Sequence, residues 1–138
     1  MRILFLGDVV GISGCSKLMN SLLSEIKLRK IDFVIVNGEN AAAQGVGLTK
    51  EICQDFFNCG VDVITTGNHV WDQKEIMEFI EKEERLLRPK NFFEPAPGKG
   101  FNIYTTKTNI KIGVLNLMGN VFMKKCEDVF DISEKFMK

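Results

Sequence analysis

Three short polar clusters hold the side chains of this chain that could do chemistry: Gly7-Asp8, Asn37-Gly38-Glu39-Asn40 and Gly67-Asn68-His69. Each follows an apolar run, namely Ile3-Leu4-Phe5-Leu6, Val34-Ile35-Val36 and Val63-Ile64 with two threonines. In an open α/β sheet the carboxyl ends of neighbouring strands converge on one crevice. Asp8, Glu39, Asn40, Asn68 and His69 would then share a site. Carboxylates, amide oxygens and an imidazole are donors that hold divalent metals. Each cluster alone has a plainer reading. Asp8 could cap a helix or form a turn, the second cluster could be a polar turn, and His69 could be structural. Recurrence at three successive strand ends favours a shared site.

The elements that must position these residues follow from periodicity. Arg2 to Leu6, Ile31 to Val36 and Val61 to Ile64 read as strands, rich in β-branched and aromatic residues. Leu18, Met19, Leu22, Leu23 and Ile26 fall at helical spacing. Thr49 can cap a helix carrying Ile52, Phe56 and Phe57, which Gly60 ends. Asp72 and Glu75 form a capping-box pattern before Ile76, Phe79 and Ile80, and that helix start would lend the crevice a positive dipole end. Alternating strands and helices imply a parallel sheet. After Arg88 a Pro- and Gly-rich loop leads to two strands, Phe101 to Thr105 and Ile110 to Leu117, expected as a hairpin. From Lys124 the pattern weakens, and Ser133 to Met137 resembles a helix start with no helix after it. Trp71 is expected to anchor its turn by packing rather than to stack on a base.

Bulk properties narrow the partner. The chain has 138 residues, 45% hydrophobic, and reads as one domain over its whole length. Lysine plus arginine and aspartate plus glutamate are both 18, so no basic excess points to duplex nucleic acid. A small anionic substrate stays compatible, because a local metal charge can outweigh the global balance. Cys15, Cys53, Cys59 and Cys126 lack CxxC spacing and are expected reduced and mostly buried, as in a cytoplasmic protein. The N-terminal apolar run is too short for a signal or a membrane span. Gly7, Gly11 and Gly14 miss the GxGxxG spacing, and no Lys-Ser or Lys-Thr completes a phosphate loop.

The longer motifs carry a resemblance. Gly7-Asp8-Val9-Val10-Gly11, Asn37 to Ala42, Gly47-Leu48-Thr49 and Gly67 to Asp72 resemble the YmdB-type calcineurin-like metallophosphoesterases. Arg88-Pro89, Asn91-Phe92, Pro97 to Gly100 and Asn116 to Gly119 continue the match over nearly the whole chain. The resemblance implies a four-layer α/β/β/α fold, with a mainly parallel sheet, flanking helices and the hairpin. It implies a phosphodiesterase acting on 2′,3′-cyclic nucleotides with two iron or manganese ions. Asp8, Glu39 and Asn40 would bind the first ion. Glu39 and Asn68 would bind the second, and His69 would give a proton to the leaving oxygen. Two such ions, roughly 3.5–4 Å apart, activate water and neutralise phosphoryl oxygens.

The same resemblance implies a departure. Family members are longer and supply three further metal-binding histidines, whereas His69 is the sole histidine here, and Asn120 stands where arginine is common. The expectation is an N-terminal portion of a metallophosphoesterase domain, truncated or split. Weak metal binding and little activity in isolation follow. An open sheet edge would favour a homo-oligomer. Two rival readings are an inactive, oligomerising remnant and a flavodoxin-like nucleotide-binding module.

Overall fold

The computed structural model describes residues 1–137. Four parallel strands form its frame: β1 (Ile3–Leu6), β2 (Phe33–Asn37), β3 (Val63–Thr65) and β4 (Leu86–Leu87), in that spatial order. Side chains alternate between the faces of a strand, so β2 serves two cores at once. Val34 and Val36 join Leu18 and Leu22 of α1 (Gly11–Arg29) and Phe56 of α2 (Lys50–Asn58) on one side. Phe33 turns to the other side, where it packs with Val63, Leu87, Ile112 and Val114. The last two come from the antiparallel hairpin of β5 (Phe101–Thr105) and β6 (Lys111–Leu115). Burying each such aliphatic or aromatic side chain contributes about 1.5–3 kcal/mol.

A final helix, α4 (Val129–Met137), adds a further layer. Its Phe136 ring lies 4.9 Å from that of Phe101, which alternation places on the hairpin face turned away from the sheet. The order helix, parallel sheet, hairpin, helix agrees with the expected α/β architecture. Among the described residues no helix is long and apolar enough to cross a membrane.

Three local expectations need correction. The sheet has a fourth strand, β4, whose two residues are too few to show any period. Asp72 and Glu75 do not build a capping box: Glu75 accepts the Lys50 N–H at 2.6 Å, and Asp72 pairs with His69. The helix there, α3 (Ile76–Phe79), is four residues long with no side-chain cap. It begins well past His69, so it lends the crevice no dipole. The third correction concerns the C-terminus, where α4 starts at Val129 with Asp128 accepting the N–H groups of Phe130 and Asp131. Ser133 lies inside that helix and donates to the Val129 carbonyl.

Candidate metal centre

Parallel pairing aligns the three strand ends. Leu6 lies opposite Val36, and Asn37 opposite Thr65, so the residues that follow leave the sheet side by side. Backbone bonds then lock the exits together. Val9 N–H donates to the Asn37 carbonyl, and Gly38 N–H to that of Thr65. Gly11, at φ +57°, opens α1 with its N–H on the Asn40 carbonyl at 2.9 Å. That contact satisfies a helix-end donor that Val10 cannot cap.

The candidate side chains meet in linked pairs. Asn40 Nδ2 donates to both Asp8 oxygens, at 2.9 and 3.1 Å. Glu39 Oε1 accepts the His69 backbone N–H at 3.0 Å, tying the end of β2 to the end of β3. The Glu39 carboxylate lies directly over Gly67, where an added Cβ would fall 2.2 Å from Oε2. A bare backbone at Gly67 is therefore what lets Glu39 reach across. His69 Nδ1 lies 2.7 Å from Asp72 Oδ2, with both side chains partly exposed. If Nδ1 carries the hydrogen, Asp72 fixes that tautomer and leaves Nε2 facing outward. Asn68 makes none of these contacts. It lines a small pocket with Trp71, Phe92, Phe93 and Met118.

Sequence reasoning missed Asp72 as a partner of His69. The His-x-x-Asp spacing was available, but the capping-box pattern claimed the aspartate. It also missed the buried asparagines behind the site. Asn116 Nδ2 donates to the carbonyls of Thr66 and Leu87, holding the hairpin to the ends of β3 and β4. Asn91 is fully buried, donating to the Met118 and Glu127 carbonyls and accepting the Met118 N–H.

The chemistry of the donor set decides whether a metal fits. Asp8 and Glu39 supply carboxylate oxygens, and a half-turn of the Asn40 amide would present Oδ1 in place of Nδ2. Such hard oxygen donors suit a divalent ion of the manganese or magnesium kind. The fit is to part of a coordination shell. Among the described residues no group of three histidine, cysteine, aspartate or glutamate side chains could hold an ion. All four cysteines are free and buried. Burial pushes the thiols of Cys15, Cys53 and Cys59 up, Cys53 to about 12.

A family model described as "YmdB-like protein" matches residues 4–138. Over 131 residues the chain is 44% identical to a 2′,3′-cyclic-nucleotide 2′-phosphodiesterase of Bacillus subtilis (strain 168), covering 94% of this chain and 48% of that protein. A crystal structure of a hypothetical protein from Thermus thermophilus superposes with a TM-score of 0.91 at 34% identity, covering 99% of this chain and 52% of that one. A crystal structure titled as a novel phosphatase from Mycoplasma pneumoniae gives 0.90 at 30% identity, covering 99% and 50%. The chain thus spans about half the length of the relatives it matches.

Proposed function

The chain belongs to the YmdB-like family, and on that premise we propose that it forms the first part of a metal-dependent phosphodiesterase site for 2′,3′-cyclic nucleotides. The observation that carries this reading is electrostatic. Asp8 and Glu39 follow the neighbouring strands β1 and β2, and their hydrogen-bond partners are an amide and a backbone N–H. Among the described residues neither carboxylate forms an ion pair with a lysine or arginine. Two unneutralised carboxylates repel a phosphodiester, so an anionic substrate needs a cation held between it and them. Asp8, Glu39 and Asn40 would hold one ion, and Glu39 with Asn68 would contribute to a second. Bound there, divalent metal supplies Lewis acidity toward phosphoryl oxygens and lowers the pKa of water.

The chain's own residues do the rest. His69, oriented through Nδ1 by Asp72, presents Nε2 toward the leaving oxygen; as the imidazolium it would give up the Nε2 proton and return to the tautomer with hydrogen on Nδ1. Glu39 fixes the His69 backbone and so sets where that nitrogen stands. Because the ligand set is partial, we expect weak manganese binding and little turnover by this chain alone. The test is hydrolysis of 2′,3′-cyclic AMP with added manganese, alongside binding measured by the free-ion electron paramagnetic resonance signal. Manganese bound by the protein and released in Asp8→Asn supports the site. Robust turnover that Asp8→Asn abolishes would overturn the claim that the isolated chain is impaired. Manganese binding that Asp8→Asn leaves unchanged would overturn the site itself.

A second reading, a self-associating remnant, is favoured by one observation. β1 is the sheet's open edge, and Phe5 on it is 61% exposed.

A further inference from the structure

The pocket beside Asn68 has no role in the chemistry above. It measures about 150 Å³, about half the lower limit for sites that enclose a drug-sized molecule. That is room for one ring system and not for a whole nucleotide. Three aromatic rings line it. Trp71 and Phe92 pack against each other at 6.4 Å, as a turn anchor should, and also against the main core. Phe93 differs: it is 53% exposed in a loop whose backbone is otherwise held by buried Arg88 and Asn91. An exposed phenyl ring on a rigid frame loses apolar burial without gaining mobility, so it is available to cover a flat ligand. Met118 adds a polarisable apolar contact, and Lys124 and Lys125 bring two positive charges to the lining.

Place in the fold gives the pocket its meaning. Asn68 belongs both to this wall and to the strand-end cluster, so a molecule reaching from one to the other is short. The larger groove of about 820 Å³ touching Asp8 is walled by Leu4, Leu6, Leu18 and Leu22 and has no aromatic ring. Resting on the phosphodiesterase reading, we propose that the Trp71–Phe92–Phe93 pocket receives the heteroaromatic base of the nucleotide, while its phosphodiester lies at Asp8, Glu39 and Asn40. Phe93 covers the base, and Lys124 and Lys125 attract the phosphate. Aromatic stacking accepts any base, because every base has a π-face. The pocket therefore selects nucleotides over other phosphodiesters, and discriminates weakly among purines.

Trp71 is the chain's single tryptophan and so reports on its own pocket. Its emission is followed while the 138-residue protein is titrated with adenosine, with 2′,3′-cyclic AMP with added manganese and with ribose 5-phosphate. Adenosine and cyclic AMP should quench it saturably, and ribose 5-phosphate should not. Phe93→Leu keeps an apolar side chain but removes the ring, and should weaken adenosine binding about tenfold, whereas Phe93→Tyr should retain it. Replacing both lysines by alanine should weaken cyclic AMP more than it weakens adenosine, which carries no phosphate. No quenching by adenosine, or quenching indifferent to Phe93→Leu, overturns the proposal. The two readings fail separately. Manganese-dependent binding of cyclic AMP without adenosine binding leaves the phosphodiesterase site standing and removes the base pocket. Adenosine binding without any metal-dependent step does the reverse.

Discussion

Gly67 shows how one missing side chain can make a site. The Glu39 carboxylate occupies the space where a Cβ would stand, and from there it accepts the His69 N–H. In Gly67→Ala the carboxylate, being the free end of a flexible side chain, would swing away at little cost to the fold. Manganese affinity should fall by about 10–100-fold, as it does when support around a metal ligand is lost, while the melting temperature shifts little. A large melting shift with intact affinity would refute the reading. Asp72 makes a comparable case for His69. Because the chain has one histidine, its ring nitrogens give unambiguous long-range ¹H–¹⁵N signals. The wild type should populate mainly the tautomer with hydrogen on Nδ1, and Asp72→Asn should populate both. An unchanged spectrum would remove Asp72 as a positioning residue.

At the scale of elements, the loop after β4 is held by one guanidinium. Arg88 is almost wholly buried and donates to the carbonyls of Pro89, Lys90, Ala96 and Pro97 and to Glu94. The Ala96 N–H and the Arg88 guanidinium together hold the Glu94 carboxyl down, from an ordinary 4.5 to about 2. A depressed folded-state pKa contributes stability above pH 4.5 that is lost as pH falls toward 2. The melting temperature should decline through that window, and Glu94→Gln should flatten the decline without abolishing the fold. Glu94 is largely exposed, so solvent screening keeps the effect small. Arg88→Leu removes the donor from the buried Pro89 carbonyl and from three partly buried ones and should cost about 3 kcal/mol in chemical denaturation. Cys53 gives a parallel check: with its thiol near 12 and buried, it should resist a disulfide reagent at pH 8 until the protein unfolds.

These same elements show what was legible in the sequence. β1, β2 and β3 were visible as short apolar runs rich in β-branched and aromatic residues, such as Phe33-Val34-Ile35-Val36, and α2 by its helical spacing; Thr49 does cap α2 through the Ile52 N–H. The positions of Asp8, Glu39, Asn40, Asn68 and His69 at strand ends followed from the same runs. What stayed hidden depends on partners distant in the chain. β4 exists only because Ile64 and Thr65 offer it a ladder. Asp72 could be assigned to His69 or to a helix cap only by geometry. Arg88, Asn91 and Asn116 look like surface residues by type, and only their burial against distant backbone acceptors makes them structural.

At the scale of the whole molecule, β2, β3 and β4 are covered on both faces, whereas β1 is not. Parallel pairing to β2 satisfies one side of that strand, and its other edge has no partner among the described residues. Ile3 and Phe5 stand exposed on one face, while Leu4 and Leu6 line the groove of about 820 Å³ on the other. An edge that is apolar on both faces is a template for strand addition. On the self-associating reading a second copy fills it, β1 against β1 about a two-fold axis. Such pairing is self-complementary: each Phe5 gains cover from its partner, and the association closes at two chains. Static light scattering at micromolar concentration should give a dimer mass, and slow amide exchange should extend across Ile3–Leu6. Phe5→Lys places a charge on the edge without touching Asp8, and should return a monomer with those amides exposed. A monomeric wild type, or a dimer that Phe5→Lys leaves intact, would locate the missing cover elsewhere.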